Sequence, residues 1–376
     1  MAKIIELVQF GMGGVGRALF GLVVQHGPVL RERLGIDIRY RALVDSSHAL
    51  HIDFNSSVNQ QYLQFLWARL KPEVGEKIGD QTGAVSRPSA VSVLATELDR
   101  IRREDSAVKL VAVDVSGAAD TEMTPVITAA LRQGQYAVLA NKRPLCCPMD
   151  DFKQMAAAAG AGMARLRYET TVGAALPIVS TIRMLFDSFD EINEIAGCFS
   201  GTLGFLTTEI EAGRKYSEVV AEAKAKGYTE PDPRDDLGGV DVARKALILA
   251  RSLGYSAELR DVEVEALYPA NLAELSVPDF MARLPELNEH YTNLSREAAE
   301  QGQTLRYVAT VNRQTLKVGL EKVAHDSQIG RLRGPDNIAV FRTRRYNPQP
   351  MVIQGRGAGP EVTASGVLAD IVSLGR

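Results

Sequence analysis

The stretch Ile4-Ile5-Glu6-Leu7-Val8-Gln9-Phe10-Gly11-Met12-Gly13-Gly14-Val15-Gly16 decides the fold of this chain. Its first seven residues are an apolar run broken only by Glu6 and Gln9, the pattern of a short strand. The run ends in glycines spaced G-x-G-x-x-G at Gly11, Gly13 and Gly16, and an amphipathic pattern predicts a helix from there to about His26. The three glycines serve different physical ends, namely a tight turn, close approach of backbone to a pyrophosphate, and close helix–strand packing. The helix start then offers unpaired N–H groups and a positive dipole end to phosphates. Glycine clusters also make ordinary turns. The position between a strand and a helix favours a dinucleotide-binding loop made of Gly11, Met12, Gly13, Gly14, Val15 and Gly16.

Working outward, residues 38–44 read as a second strand ending at Asp45, residues 110–115 as a third and residues 136–140 as a fourth, with helical stretches such as 125–132 between them. Strands alternating with helices predict a parallel sheet with crossover connections. Residues 46–90 are polar and read as an insertion; His48, His51 and Asp53 within it read as a polar loop and not as metal ligands. An acid at the end of the second strand binds a ribose hydroxyl or caps a turn, and Asp45 fits both. After Asp150 the character changes. A helix over 152–159 leads to Tyr168-Glu169-Thr170-Thr171-Val172-Gly173, a further helix starts at Pro177, and strand-like stretches recur at 191–199, 306–312 and 315–321. The expected class is α/β: a Rossmann-type doubly wound nucleotide-binding domain over 1–164 with 346–376, plus an α+β catalytic and dimerisation domain over 165–345.

Composition bounds the partners. A chain of 376 residues fits two domains at roughly 100–200 residues each. The hydrophobic share of 45% with 24% charged residues is ordinary for a globular protein, and a net charge of -3 gives no basis for nucleic acid or an anionic membrane as partner. Arginines across 31–41 and 342–345 are interleaved with apolar or acidic residues and read as solvated faces. No apolar signal core follows Met1, and no run reaches the ~18 apolar residues of a membrane span. Three cysteines, Cys146, Cys147 and Cys198, are a poor disulfide framework and fit a reducing cytoplasm.

A second segment is unusual in composition: Gly227-Tyr228-Thr229-Glu230-Pro231-Asp232-Pro233-Arg234-Asp235-Asp236-Leu237-Gly238-Gly239-Val240-Asp241-Val242-Ala243-Arg244-Lys245. Two prolines and several acids predict a rigid polar loop, followed by a helix ending at Gly254. Asp241 and Lys245 are four apart and share a helical face. By residue type alone they form a surface ion pair worth about 0.3–0.5 kcal/mol. The segment nevertheless resembles the signature of the homoserine dehydrogenase family nearly residue for residue. The similarity extends to the glycine loop, Ala140-Asn141-Lys142, Tyr168-Glu169-Thr170-Thr171-Val172-Gly173-Ala174, Ser200-Gly201-Thr202 and residues 357–371, in the family's order. The form implied is short and monofunctional, with neither the kinase domain nor the effector domain that some members carry.

The resemblance implies reversible NAD(P)-dependent hydride transfer between L-homoserine and L-aspartate 4-semialdehyde, in threonine, methionine and isoleucine biosynthesis. It makes Lys245 the proton donor, with Lys142 as a second ammonium; the division of labour between them stays open. Two partly desolvated ammonium groups close together depress one pKa toward the working range. Glu230 and Asp241, assisted by Asp236, are the implied partners of the substrate α-ammonium. Asp45, Ser116, Lys142, Gly227 and Gly357 join the glycine loop as cofactor contacts, and NADP or NAD is open because Ser46 and Ser47 could take a phosphate. Glu169 with the carbonyls of Val172, Ala174 and Leu176 is the implied seat of a structural monovalent cation, Na+; a buried structural glutamate is the competing reading. The usual Gly-Ala-Gly is Gly173-Ala174-Ala175 here. A homodimer formed through the second domain is also implied. Two rivals remain. A semialdehyde dehydrogenase would use Cys146 or Cys147 as nucleophile, but no histidine lies nearby in sequence to act as base. A regulator that binds NAD(P)H without turnover would have no use for Lys245.

Overall fold

The opening apolar run forms β1 (Lys3–Phe10), and burial explains its composition: every residue from Ile5 to Phe10 is inside. The computed structural model describes residues 2–52, 59–87, 89–103 and 108–376. Within it the chain forms two units, Met1–Ala175 with Gly359–Arg376, and Leu176–Ala358.

In the first unit, β1 leads into α1 (Gly14–Leu34), β2 (Ile36–Val44), β3 (His48–His51), α2 (Asn59–Leu70), β4 (Ala84–Ser86), α3 (Ala90–Arg103), β5 (Lys109–Asp114), α4 (Asp120–Arg132), β6 (Tyr136–Leu139), α5 (Met149–Ala159) and β7 (Leu166–Arg167). The sheet order is β4-β3-β2-β1-β5-β6-β7. The run β2-β1-β5-β6-β7 is parallel, as the strand–helix alternation predicts. From β1 the chain goes first to β2 on one side and later to β5 on the other. The carboxyl ends of β1 and β5 therefore flank the point where strand order reverses, the ligand-binding position of doubly wound sheets.

The described parts of 46–90 hold more regular structure than a polar insertion suggests. Its β3 and β4 extend the sheet antiparallel beyond β2. His48 and His51 lie on β3, where His51 Nδ1 sits 2.5 Å from the buried Glu97 carboxylate; Asp53 lies outside the described residues. Among the described residues no group of three metal-ligating side chains occurs. Helix α1 runs past the expected end at His26 to Leu34, through Pro28, and stops at Gly35, whose φ of 63° suits glycine.

Arg41 departs from its reading as a solvated residue. It is 2% exposed and donates from Nε to Glu6 Oε2 at 2.5 Å, with Glu6 equally buried. Strands β1 and β2 are both interior, so a charge on one survives only with its opposite on the other.

The chain returns to this unit through α13 (Pro360–Gly375), which packs on α1. Ala364, Val367, Ile371 and Leu374 join Leu19, Phe20, Val23, Ile5 and Ile36 in one core.

The second unit holds α6 (Ile178–Asp187), β8 (Ile192–Cys198), α7 (Gly201–Glu211), α8 (Tyr216–Ala225), α9 (Arg234–Leu237), α10 (Val240–Ser252), β9 (Glu263–Val264), α11 (Val277–Arg283), α12 (Asn288–Glu300), β10 (Gln303–Asn312), β11 (Leu316–Ala324), β12 (Asp336–Thr343) and β13 (Met351–Arg356). Its sheet order is β13-β12-β8-β10-β11-β9, antiparallel except for β9 beside β11, with α7, α10 and α12 packed against β10. The predicted division at 164/165 and 345/346 falls instead at 175/176 and 358/359. The reason is strand pairing: β7 completes the first sheet, and β13 hydrogen-bonds to β12 in the second. Among the described residues, no helix is long and apolar enough to cross a membrane.

The Arg41–Glu6 pair gives a test of the first unit. Arg41→Met alone should destabilise the protein by about 3–5 kcal/mol, and adding Glu6→Leu should recover most of that loss. Urea unfolding measures both; an Arg41→Met midpoint equal to wild type would contradict the pairing.

Candidate functional site

Three strand ends shape a cleft of about 700 Å³ in the first unit, lined among others by Gly11, Gly13, Asp45, Lys77, Arg87 and Ser116. Gly11 has φ of +107°, and a Cβ there would lie 2.7 Å from Val115 O and 2.8 Å from Ser116 Cα. A Cβ on Gly16 would overlap Gly11 O. Both glycines are therefore required by contact within the protein. Gly13 is different: nothing lies within 4 Å of where its Cβ would be. It is the N-cap of α1 and has no side chain with which to cap the helix. Open space beside backbone at an uncapped helix start fits a pyrophosphate.

At the β2 end, Asp45 Oδ1 accepts the N–H groups of Ser47 (2.8 Å) and His48 (2.7 Å), so one carboxylate oxygen caps the turn. Arg87 donates to Ser46 O at 3.2 Å and pairs with Glu122 at 2.6 Å. Arg17 is held by the carbonyls of Met12, Leu70 and Glu76. Sequence reasoning misses Arg17, Lys77 and Arg87. They are scattered along α1 and the insertion, and only the fold gathers them.

Below the cleft, Asp114 at the end of β5 accepts from the N–H (3.0 Å) and hydroxyl (2.6 Å) of Ser116 and from Asn141 Nδ2 (3.0 Å). Burial raises its carboxyl to about 6 against those hydrogen bonds. Lys142 follows Asn141, half-buried, at the start of a tight turn over Arg143–Cys146. Cys146 is half-buried and Cys147 buried there, while Cys198 is buried in β8 with its thiol pushed up to about 12. Further on, Glu169 opens a short turn, its N–H donating to Asp370 Oδ2 at 2.9 Å. Val172 follows, then two left-handed residues, Gly173 (φ 77°) and Ala174 (φ 52°). Leu176 belongs to the second unit.

The polar loop of the second unit is as rigid as its prolines suggest. Arg234 grips Asp232 (Nε–Oδ1 2.9 Å, Nη2–Oδ2 2.6 Å) and donates from Nη1 to the carbonyls of Ala273 and Leu275, both at 2.6 Å. Glu230 is exposed, and its N–H donates to Asp236 Oδ2 at 2.8 Å. Burial raises the Asp236 carboxyl, with the Glu230 charge adding to it. Helix α10 then begins at Gly239, where φ is +72° and a Cβ would overlap the Tyr307 hydroxyl.

Lys245 and Asp241 share a face of α10 as predicted, and the pair is at the surface only at its Asp241 end, whose side chain is 44% exposed. The Lys245 side chain is 12% exposed, and its ammonium donates to Phe199 O at 2.6 Å and lies 2.8 Å from Asp241 Oδ2. The lysine thus fastens α10 to the end of β8. Gly227 and Gly357 belong to this unit too, and not to the unit of the glycine loop. Gly357 faces Asn337 of β12, whose side chain a Cβ would overlap.

The model of the homoserine dehydrogenase family matches residues 177–372. The homoserine dehydrogenase of Emericella nidulans is 40% identical over 304 residues, covering 77% of this chain and 83% of that protein. The chain belongs to the homoserine dehydrogenase family. A bifunctional aspartokinase/homoserine dehydrogenase 2 of Zea mays is 37% identical over 369 residues, and the chain spans 38% of its length. A hyperthermophilic archaeal homoserine dehydrogenase solved in complex with NADPH shares the fold, with a TM-score of 0.70 at 22% identity over 100% of this chain and 98% of that one.

Gly239 sets where α10 starts and hence where Asp241 and Lys245 sit. Gly239→Ala should cost about 2 kcal/mol or more, from the left-handed backbone and the Tyr307 overlap together. Chemical denaturation checks this, and an unchanged midpoint would refute it.

Proposed function

We propose that this member of the homoserine dehydrogenase family interconverts L-homoserine and L-aspartate 4-semialdehyde with NAD(P). The observation that carries the reading is the Lys245 ammonium, drawn inward between the Phe199 carbonyl and the Asp241 carboxylate. When bound, the reduced dinucleotide supplies the hydride. The chain's part is to hold the dinucleotide on Gly11–Gly16, with Asp45, Ser116 and Lys142 as further contacts, and to deliver a proton to the oxygen that becomes the homoserine hydroxyl. Lys245 is the proposed donor, with Lys142 as the second ammonium. Glu230, Asp236 and Asp241 give the second unit the carboxylates an α-ammonium needs. Of the rivals, the thiol reading rests on Cys146 and Cys147, and burial of Cys147 counts against it there.

Lys77, Arg87, Ser46 and Ser47 surround the same end of the cleft as Asp45, and one oxygen of Asp45 is already engaged by the backbone. That arrangement favours NADP over NAD. A structural Na+ on Glu169 with the carbonyls of Val172 and Ala174 is also proposed, supported by the backbone reversal at Gly173 and Ala174. So are a homodimer and a cytoplasmic location, the latter supported by a content of three cysteines, a poor disulfide framework. Light scattering checks the dimer.

The decisive assay is homoserine oxidation with NADP+ and NAD+. Lys245→Ala should lower kcat by about 10²–10⁴-fold while NADPH binding persists. Wild type that binds NADPH but shows no homoserine-dependent reduction of NADP+ would favour the regulator. In the same assay, Lys77→Ala should raise KM for NADP+ and leave KM for NAD+ almost unchanged; equal effects on both would remove Lys77 from phosphate recognition.

A further inference from the structure

Strand β5 reads Lys-Leu-Val-Ala-Val-Asp, and from Leu110 onward every residue is buried, the terminal carboxylate included. A carboxylate with no exposure needs partners. Asp114 has three: the Ser116 N–H, the Ser116 hydroxyl and the Asn141 amide, none of them a cation. The tie runs further. Asn141 Nδ2 also donates to Ala118 O at 2.9 Å, and its Oδ1 accepts the Arg143 N–H at 3.1 Å. Ser116 Oγ accepts the Ala118 N–H at 3.2 Å. One carboxylate thus joins residues 116–118, which line the cleft, to the segment that carries Lys142.

We infer that Asp114 is a positioning residue of the cofactor cleft, whose ionised carboxylate holds the turn after β5 against the turn after β6 and so sets the affinity for the dinucleotide. The inference rests on the dinucleotide reading of the cleft. Its physical basis is donor–acceptor accounting. The Ser116 N–H and the Asn141 amide nitrogen can only donate where they stand, and the Ser116 hydroxyl donates to the ionised carboxylate. A proton on Oδ2 would set donor against donor at Asn141, which cannot turn its amide over without losing both Ala118 and Arg143. A proton on Oδ1 would make the Ser116 hydroxyl turn to accept and end its charge-assisted bond. Beside Asp114 stand apolar Phe10 on β1 and Leu139 on β6; Glu122 on α4 is the charged side chain whose field reaches it. Burial first, then Glu122, raise the carboxyl to about 6 while the three hydrogen bonds oppose them. The sign follows. Below that pH the protonated form loosens the tie and weakens binding; above it the ionised form restores both.

The test is NADPH binding by fluorescence, without turnover, from about pH 5 to about pH 8, together with the Asn141 side-chain amide resonance of the ligand-free protein. In wild type, affinity should rise roughly ten-fold through pH 6, as loss of a charge-assisted hydrogen bond implies, and the amide should shift with the same midpoint. Asp114→Asn, nearly isosteric but unable to ionise, should keep the weak low-pH affinity throughout and abolish both transitions. If it fails to fold, Asn141→Ala cuts the tie from the other side and should shrink the affinity step. A folded Asp114→Asn protein that keeps the wild-type affinity and step would overturn the inference, as would a wild-type amide that does not titrate. An amide that titrates in a protein that binds no NADPH would support the tie and sink the dinucleotide reading instead.

Discussion

The first unit depends on a steric constraint: backbone leaving β1 must clear the turn after β5 with no room for a Cβ at Gly11, and clear α1 with none at Gly16. Because the two strand ends are that close, α1 starts directly above the place where strand order reverses. The cleft, the tie below it and the segment bearing Lys142 all follow from that approach. Gly13 is then the glycine with open space beside it, so contact within the protein accounts for Gly11 and Gly16 but not for Gly13.

In the second unit the comparable constraint is electrostatic. A lysine whose side chain is mostly buried needs acceptors, and Lys245 finds them on two elements, the carbonyl ending β8 and a carboxylate one turn back on α10. This makes the lysine both a fastening and a candidate acid. Its position is fixed by the packing that also places Asp241, and the start of α10 is fixed in turn by Gly239 against Tyr307.

Much of this is legible in the sequence. The apolar runs that become β1, β2, β5 and β6 announce themselves because parallel strands are buried on both faces. What escapes does so for physical reasons. Arg41 looks solvated because periodicity cannot reveal that Glu6 faces it from the next strand. β3 and β4 are short and polar and exist by pairing, not by composition. β12 and β13 do carry apolar runs, Ile338 to Phe341 and Met351 to Ile353. Composition does not show that β13 pairs with β12, which is why the sequence puts the division between the units some residues away from where it falls. At the site, the glycine loop, Lys142 and the pair Asp241–Lys245 can be named from motifs. Asp114 could be noticed as a charge ending an otherwise apolar strand. Lys77 and Arg87 could not, since nothing local marks an insertion's cations as neighbours of β2.

Helix α13 has a consequence for synthesis. Ala364, Val367, Ile371, Val372 and Leu374 complete a core whose other buried members precede residue 139, and the whole second unit is made in between. On the ribosome, therefore, the second unit emerges with all its strands while the first still lacks one wall. The apolar surface of α1 that α13 will cover stays open from the end of α1 at Leu34 to the start of α13 at Pro360, about 325 residues at roughly 5–20 residues per second. The order of maturation is the reverse of the order of the chain, and the interval is when a chaperone would be wanted.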